Sequence, residues 1–187
     1  KIRSEKGLLI DGPLLIKPEI FSDERGQFME SWNQKTFDKL IDQKTIFVQD
    51  NQSISIKNVI RGLHYQASPN SQDKLVRCCK GEIFDVAIDL RLESETFGLW
   101  VSVKLSDKNK FQLWIPKGFA HGFMAISNEA NVLYKTTSYF SRKDERSILW
   151  NDPTLNIKWP TSSSKPLLSR KDKNAPLLSK ISKNDFL

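Results

Sequence analysis

The sequence predicts an all-β fold, a sandwich or closed barrel of antiparallel hairpins with little helix. Short stretches alternate apolar, β-branched and aromatic residues with polar ones, they follow one another closely, and Gly, Pro, Asn or Asp separates them. The 187 residues suit one domain, 1–187, built on a single core.

Taken in order, the first expected strand is Phe28–Trp32, and a helix over Gln34–Ile41 follows with Asn33 as its cap. Strands are then expected over Ile46–Ile56, Val59–Tyr65, Leu75–Lys80, Ile83–Leu90, Leu99–Leu105, Phe111–Ile115, Phe123–Ile126 and Val132–Phe140. The last stretch, Thr161–Leu187, is rich in Ser, Lys and Pro and reads by composition as a tail. Two Leu-Leu-Ser copies, Leu167–Ser169 and Leu177–Ser179, give it apolar points for docking on the barrel.

Composition narrows the function classes. No apolar run approaches the roughly 20 residues of a spanning helix, and Lys1–Asp11 lacks the apolar stretch of a secretory signal. The two cysteines, Cys78 and Cys79, are adjacent in a strand and so point to opposite faces, which disfavours a disulfide and suits a reducing cytoplasm. Of the formal charge of +7, most lies from Lys158 onward, where seven Lys or Arg face two Asp. What remains is not a stripe that follows a phosphate backbone, so no nucleic-acid partner is expected, although inward basic residues can still hold a small anion.

Period 2 places Ile60, Gly62, His64 and Gln66 on one strand face and Val59, Arg61, Leu63 and Tyr65 on the other. A lone His in such a place is more often a core residue than a ligand. The chain has only two, His64 and His121, and Gln66 stands where a second same-face metal ligand would be, so a His-rich metal centre is not expected. General-base work suits His64 better. A second polar series, Gln49, Asn51, Ser53 and Ser55, lies opposite Val48, Ile54 and Ile56; it is either a wet face or the lining of a barrel mouth. Val132, Tyr134, Thr136, Ser138 and Phe140 share a face, with the two rings about 20 Å apart along it, as core packing or as an acid and a flat binding surface.

Ten segments in this order resemble the dTDP-4-dehydrorhamnose 3,5-epimerase family: Phe21–Glu30 (FSDERGQFME), Gln49–Ser55 (QDNQSIS), Ile60–Gln66 (IRGLHYQ), Gln72–Arg77 (QDKLVR), Gly81–Arg91 (GEIFDVAIDLR), Ser94–Gly98 (SETFG), Ile115–Phe123 (IPKGFAHGF), Tyr134–Thr137 (YKTT), Trp150–Pro153 (WNDP) and Leu168–Asp172 (LSRKD). The resemblance implies a cupin-type jelly-roll (double-stranded β-helix) barrel with a few short helices, a homodimer sharing strands, and no metal or organic cofactor. It implies a dTDP-linked 4-keto-6-deoxy sugar as substrate and inversion at C3 and C5. By resemblance His64 is the base, Asp172 its carboxylate partner, Lys74 the cation beside the ketone oxygen and Tyr134 the opposed acid, so the tail, 161–187, must fold back over the site. Arg25, Glu30, Gln49, Asn51, Arg61, His121, Glu145 and Lys171 match positions that contact the nucleotide sugar, and Asp50 contributes through its backbone. Phe140 stands where the family has a Tyr that stacks on thymine, keeping the ring and losing the hydroxyl. The competing readings are a 3-epimerase, a 3,4-ketoisomerase, a non-catalytic nucleotide-sugar barrel and, last, a metal-dependent oxygenase.

Overall fold

The computed structural model describes residues 1–161 and 165–186; residues 162–164 and Leu187, parts of the segment read above as a tail, lie outside the described residues. In chain order the elements are β1 (Ile2–Arg3), β2 (Leu9–Ile10), β3 (Leu14–Ile16), β4 (Phe21–Asp23), β5 (Gly26–Phe28), α1 (Gln34–Ile41), β6 (Gln49–Ile56), β7 (Ile60–Gln66), β8 (Lys74–Lys80), β9 (Glu82–Asp89), β10 (Trp100–Ser106), β11 (Gln112–Ile115), β12 (Phe119–Ala125), β13 (Glu129–Thr136), β14 (Glu145–Ser147) and α2 (Arg170–Lys173). Two antiparallel five-stranded sheets, ordered β10-β9-β12-β7-β14 and β3-β11-β8-β13-β6, form the jelly-roll barrel. Among the described residues no helix is long and apolar enough to cross a membrane.

Between the sheets lies a core of Ile10, Val76, Ile83, Ala87, Val101, Leu113, Phe123 and Val132, among others. The first sheet is covered on its outer side as well: Ile60, Leu63, Val86, Ile88 and Met124 pack against Leu155, Ile157, Trp159 and Leu178 from the C-terminal third. Burial on both faces explains why all seven residues of β12 are buried and do not alternate. This also corrects the expected strand Phe123–Ile126, which in fact begins at Phe119.

The helix α1 forms as expected. Asn33 Oδ1 accepts the Thr36 N–H at 3.1 Å, Asp42 closes the other end in the left-handed region, and Phe37 packs on Trp32 and Trp114 over the outer face of the second sheet. Three other expectations are corrected. Residues 29–32 are not a strand: the hairpin β4–β5 ends at Phe28, and no strand among the described residues pairs with the next ones. β6 begins at Gln49 rather than Ile46. β13 ends at Thr136, so Ser138 and Phe140 are not further positions on the Tyr134 face; the Thr136 hydroxyl donates to Ser138 O at 3.0 Å as the chain turns away.

The most consequential departure lies in β7. Phe123 pairs with Arg61 and His121 with His64, so Gly122 of β12 alone lies opposite Gly62 and Leu63 of β7, a bulge that reverses the alternation. Ile60 and Leu63 therefore share the outer face, at 1% and 0% exposure, while Arg61 and His64 turn toward the second sheet. Gly62, at φ +116°, occupies the bulge, where a Cβ would stand 2.6 Å from Gly122 Cα and 2.7 Å from the His121 carbonyl oxygen. Only glycine fits there. Gly62→Ala should cost about 2 kcal/mol or more, read as a lower urea midpoint at unchanged slope.

Candidate active site

Two sheets facing each other bring the polar groups together in rows. In the second sheet Lys74, Thr136 and Gln49 lie abreast, with Tyr134 beside Asn51 in the next row but one. In the first sheet His64 lies between His121 and Ser147, and Gln66 beside Glu145. The open end of the barrel is a cleft lined by Gln49, Asn51, His64, Gln72, Lys74, Tyr134, Phe140 and Glu145. The polar series of β6 is thus the barrel lining. Its apolar companions Ile54 and Ile56 are the exposed face, at 58% and 60%.

The C-terminal segment closes one side. Leu167 exchanges backbone bonds with Asn58 and Ile60 at 2.9 Å each, Leu149 N–H donates to Pro176 O at 2.8 Å, and the buried Asp152 carboxylate accepts the Leu178 N–H at 2.7 Å. Between these ties Ser169 caps α2 by accepting the Asp172 N–H at 3.0 Å. Asp172, 3% exposed, thereby sets Oδ1 2.6 Å from His64 Nε2. Burial pushes the Asp172 carboxyl up, but the His64 contact, the Ser169 hydroxyl and the Gly62 N–H together hold it below the ordinary value. The carboxylate accepts the Nε2–H, and in a neutral imidazole so bonded Nδ1 is the nitrogen without a hydrogen.

Lys74 is 8% exposed, and its Nζ reaches the His64 carbonyl oxygen at 3.4 Å. Burial depresses its pKa to about 8, a fall that the charges of Asp85 and Glu145 oppose and that of Lys171 assists. The Tyr134 phenol is raised by burial and pulled back by Arg61, with Glu145 adding to the rise. Arg61 donates from Nε to Ser55 Oγ at 2.9 Å and from Nη2 to Ile54 O at 3.3 Å, joining β7 of one sheet to β6 of the other. Glu145 pairs with Lys171. His121 Nε2 lies 3.0 Å from both oxygens of the fully buried Asp85.

Three residues named from the resemblance stand apart from this cluster. Arg25 lies on the exposed turn between β4 and β5 and pairs with Asp23. Glu30 accepts the Asn33 amide at 2.9 Å, outside the cleft. The Asp50 side chain points outward to Lys135 Nζ, at 2.9 and 3.0 Å. Conversely, Asp85, Gln66 and Gln72 were not singled out as site residues. An acid inside the apolar run of GEIFDVAIDLR was the available signal for Asp85. Among the described residues no three His, Cys, Asp or Glu side chains converge as metal ligands would.

A family model described as dTDP-4-dehydrorhamnose 3,5-epimerase matches residues 8–180. The chain belongs to this family. Within the family it is 59% identical over 165 residues to the dTDP-4-dehydrorhamnose 3,5-epimerase of Salmonella typhimurium, covering 88% of this chain and 90% of that one. It is similar to the crystal structure of dTDP-6-deoxy-D-glucose-3,5-epimerase from Legionella pneumophila in complex with dTDP-4-keto-L-rhamnose, with TM-score 0.92 and 48% identity over 100% of this chain and 96% of that chain. A more distant family member, the dTDP-4-dehydrorhamnose 3-epimerase of Streptomyces niveus, is 37% identical over 90% of this chain and 81% of its own.

The buried Lys74 ammonium destabilises the fold. With a folded pKa of about 8 against 10.5 for an ordinary lysine, the cost is fully present below pH 8 and is relieved as pH rises from 8 toward 10.5. Lys74→Met should therefore be more stable than wild type by about 2 kcal/mol at pH 7, with the gap closing above pH 8 in denaturant titrations.

Proposed function

We infer that this chain is an isomerase that inverts C3 and C5 of dTDP-4-dehydro-6-deoxy-D-glucose to give dTDP-4-dehydro-L-rhamnose, for deoxysugar and cell-surface polysaccharide synthesis. One observation carries this reading: a His64–Asp172 pair and the Tyr134 phenol stand on facing sheets of the same cleft, with Lys74 in the same lining. Inversion next to a ketone needs a base on one face of the sugar ring and an acid on the other.

The C4 ketone acidifies the hydrogens on C3 and C5. His64 Nδ1 takes the proton, and the electron pair moves into an enolate whose charge rests on the C4 oxygen. Asp172 holds the imidazole in one tautomer and stabilises the imidazolium that forms. Lys74, with Arg61 at the mouth, stabilises the enolate oxygen; a single preorganised donor is typically worth about 3 kcal/mol. Tyr134 then delivers its proton to the opposite face of the carbon. The electrons return to the ring they left, so no redox partner enters the balance.

Binding roles follow from position. Gln49, Asn51, Arg61, Glu145 and Lys171 surround the nucleotide sugar, His121 lies behind the site against Asp85, and Phe140, 56% exposed at the rim, offers a flat ring to the base. Arg25, Glu30 and the backbone of Asp50 act on the nucleotide sugar of a partner subunit in a homodimer. Two features support that assignment. β6 is an edge strand with Ile54 and Ile56 facing outward, and the β4–β5 hairpin, with exposed Phe21 and Phe28, lies outside both large sheets. With no apolar spanning segment among the described helices and two unpaired cysteines, the proposed compartment is the cytoplasm.

Tyr134→Phe separates the two halves of the reaction. In deuterated water the variant should still exchange hydrogen beside the ketone, because His64 returns a solvent deuteron to the face it deprotonated, while inversion falls by at least about a hundredfold. NMR of the recovered sugar reads both rates. Inversion at the wild-type rate would remove Tyr134 from the mechanism, and wild-type exchange at C3 alone would make the protein a 3-epimerase.

Sites shared across a dimer predict complementation. Arg25→Ala and His64→Ala, each weakly active alone, should regain one wild-type site per mixed dimer after co-refolding, about half the activity of a wild-type dimer. If mixing restores nothing while mixed dimers form, Arg25 does not act on the partner's site.

A further inference from the structure

Gln66 takes no part in the chemistry above, yet it is among the most constrained polar side chains of the cleft. It follows His64 by two positions on β7, about 7 Å along the strand, and is 5% exposed. A carboxamide buried to that extent is costly unless its donors and acceptor are satisfied. Here all are used on loop backbone. Oε1 accepts the Ser141 N–H at 2.7 Å, and Nε2 donates to Tyr139 O at 3.2 Å and to Asn70 O at 2.6 Å.

The pattern has a specific geometry. Bonds to the carbonyl of residue 139 and the N–H of residue 141 bracket Phe140, as one residue of a parallel strand brackets its partner. The Phe140 N–H between them donates to Gln49 Oε1 at 2.9 Å. The ring itself is 56% exposed, so side-chain packing does little to hold it; backbone bonds to Gln66 and Gln49 locate it over the cleft. The same loop is closed behind by Asp144, which accepts from Asn70 Nδ2 at 2.7 Å and from Ser141 Oγ at 2.5 Å.

We propose that Gln66 is a positioning residue for nucleotide recognition: its buried carboxamide, anchored on the strand that carries His64, sets the place of the Phe140 ring against the nucleobase. Gln66 does not touch the nucleotide. It acts through the ring, and this rests on the reading of Phe140 as the base-stacking surface. A Glu in its place keeps the acceptor for Ser141 and loses both donors, and an Asn falls one methylene short, so neither conservative change restores the bracket.

Calorimetric titration with thymidine diphosphate tests this in wild type, Gln66→Met, Phe140→Ala and the double variant. Each single change should weaken binding about tenfold, and the double variant should bind no more weakly than Phe140→Ala alone. In turnover, Gln66→Met should raise KM by a larger factor than it lowers kcat. Two outcomes overturn the proposal while leaving the stacking surface intact: wild-type affinity in Gln66→Met when Phe140→Ala is weak, or losses that multiply to about a hundredfold in the double variant. Wild-type affinity in Phe140→Ala overturns the stacking reading and this proposal with it. Gln66→Glu, alone and with Phe140→Ala, gives the same comparison if the methionine variants do not yield folded protein.

Discussion

The backbone contact between Gly62 and Gly122 governs where the polar groups of this barrel go. Two strands without side chains at that point approach closely enough for β7 to carry one residue more than β12. With the extra residue, Arg61 and His64 both face the second sheet and Ile60 and Leu63 both face the outer core. Without it, a strictly alternating β7 with Ile60 in place would turn His64 into the apolar layer and Leu63 toward the cleft. A local steric allowance thus sorts one strand's residues between a hydrophobic layer and a polar cleft.

That cleft is costly to maintain. Lys74 sits buried, among the described residues without a carboxylate against its amine, at a depressed pKa that the more distant charges of Asp85 and Glu145 oppose. In the proposed reaction, negative charge developing on a substrate oxygen beside Lys74 would offset this cost. Asp85 contributes twice, as the partner of His121 and as part of the field at Lys74. The two histidines are therefore distinguished by their carboxylates: one pair opens on the cleft, and the other is sealed behind it.

The C-terminal third acts as structure and as part of the site. Its apolar residues cover the outer face of the first sheet, and its short helix carries Asp172 to His64. Backbone ties at Leu167, Pro176 and Leu178 flank the aspartate on both sides, so its short contact with the imidazole is held by the barrel rather than by the four-residue helix alone. The loop that presents Phe140 is held in a comparable way, by side-chain amides acting on its backbone.

Much of this was legible in the residues. Alternation located most strands, Asn33 marked the helix start, and a set of short motifs carried the family and put His64, Lys74, Tyr134 and Asp172 forward as candidate site residues. Such features depend on local periodicity and on residue chemistry, which the chain writes directly. The face to which a side chain turns was not legible where it depended on a partner strand. Period 2 put Arg61 opposite His64, because a bulge is defined by the count of residues on the neighbouring strand. The same limit left the β6 polar face undecided, extended β13 to Phe140, and made a strand of residues 29–32, which pair with no strand among the described residues. Composition also described the tail as free, since the sheet face that its Leu and Ile residues cover is built from strands far away in sequence. Sequence determined the elements and the chemical groups; only the tertiary structure decided which groups meet, because pairing register and two-sided burial are properties of neighbours in space.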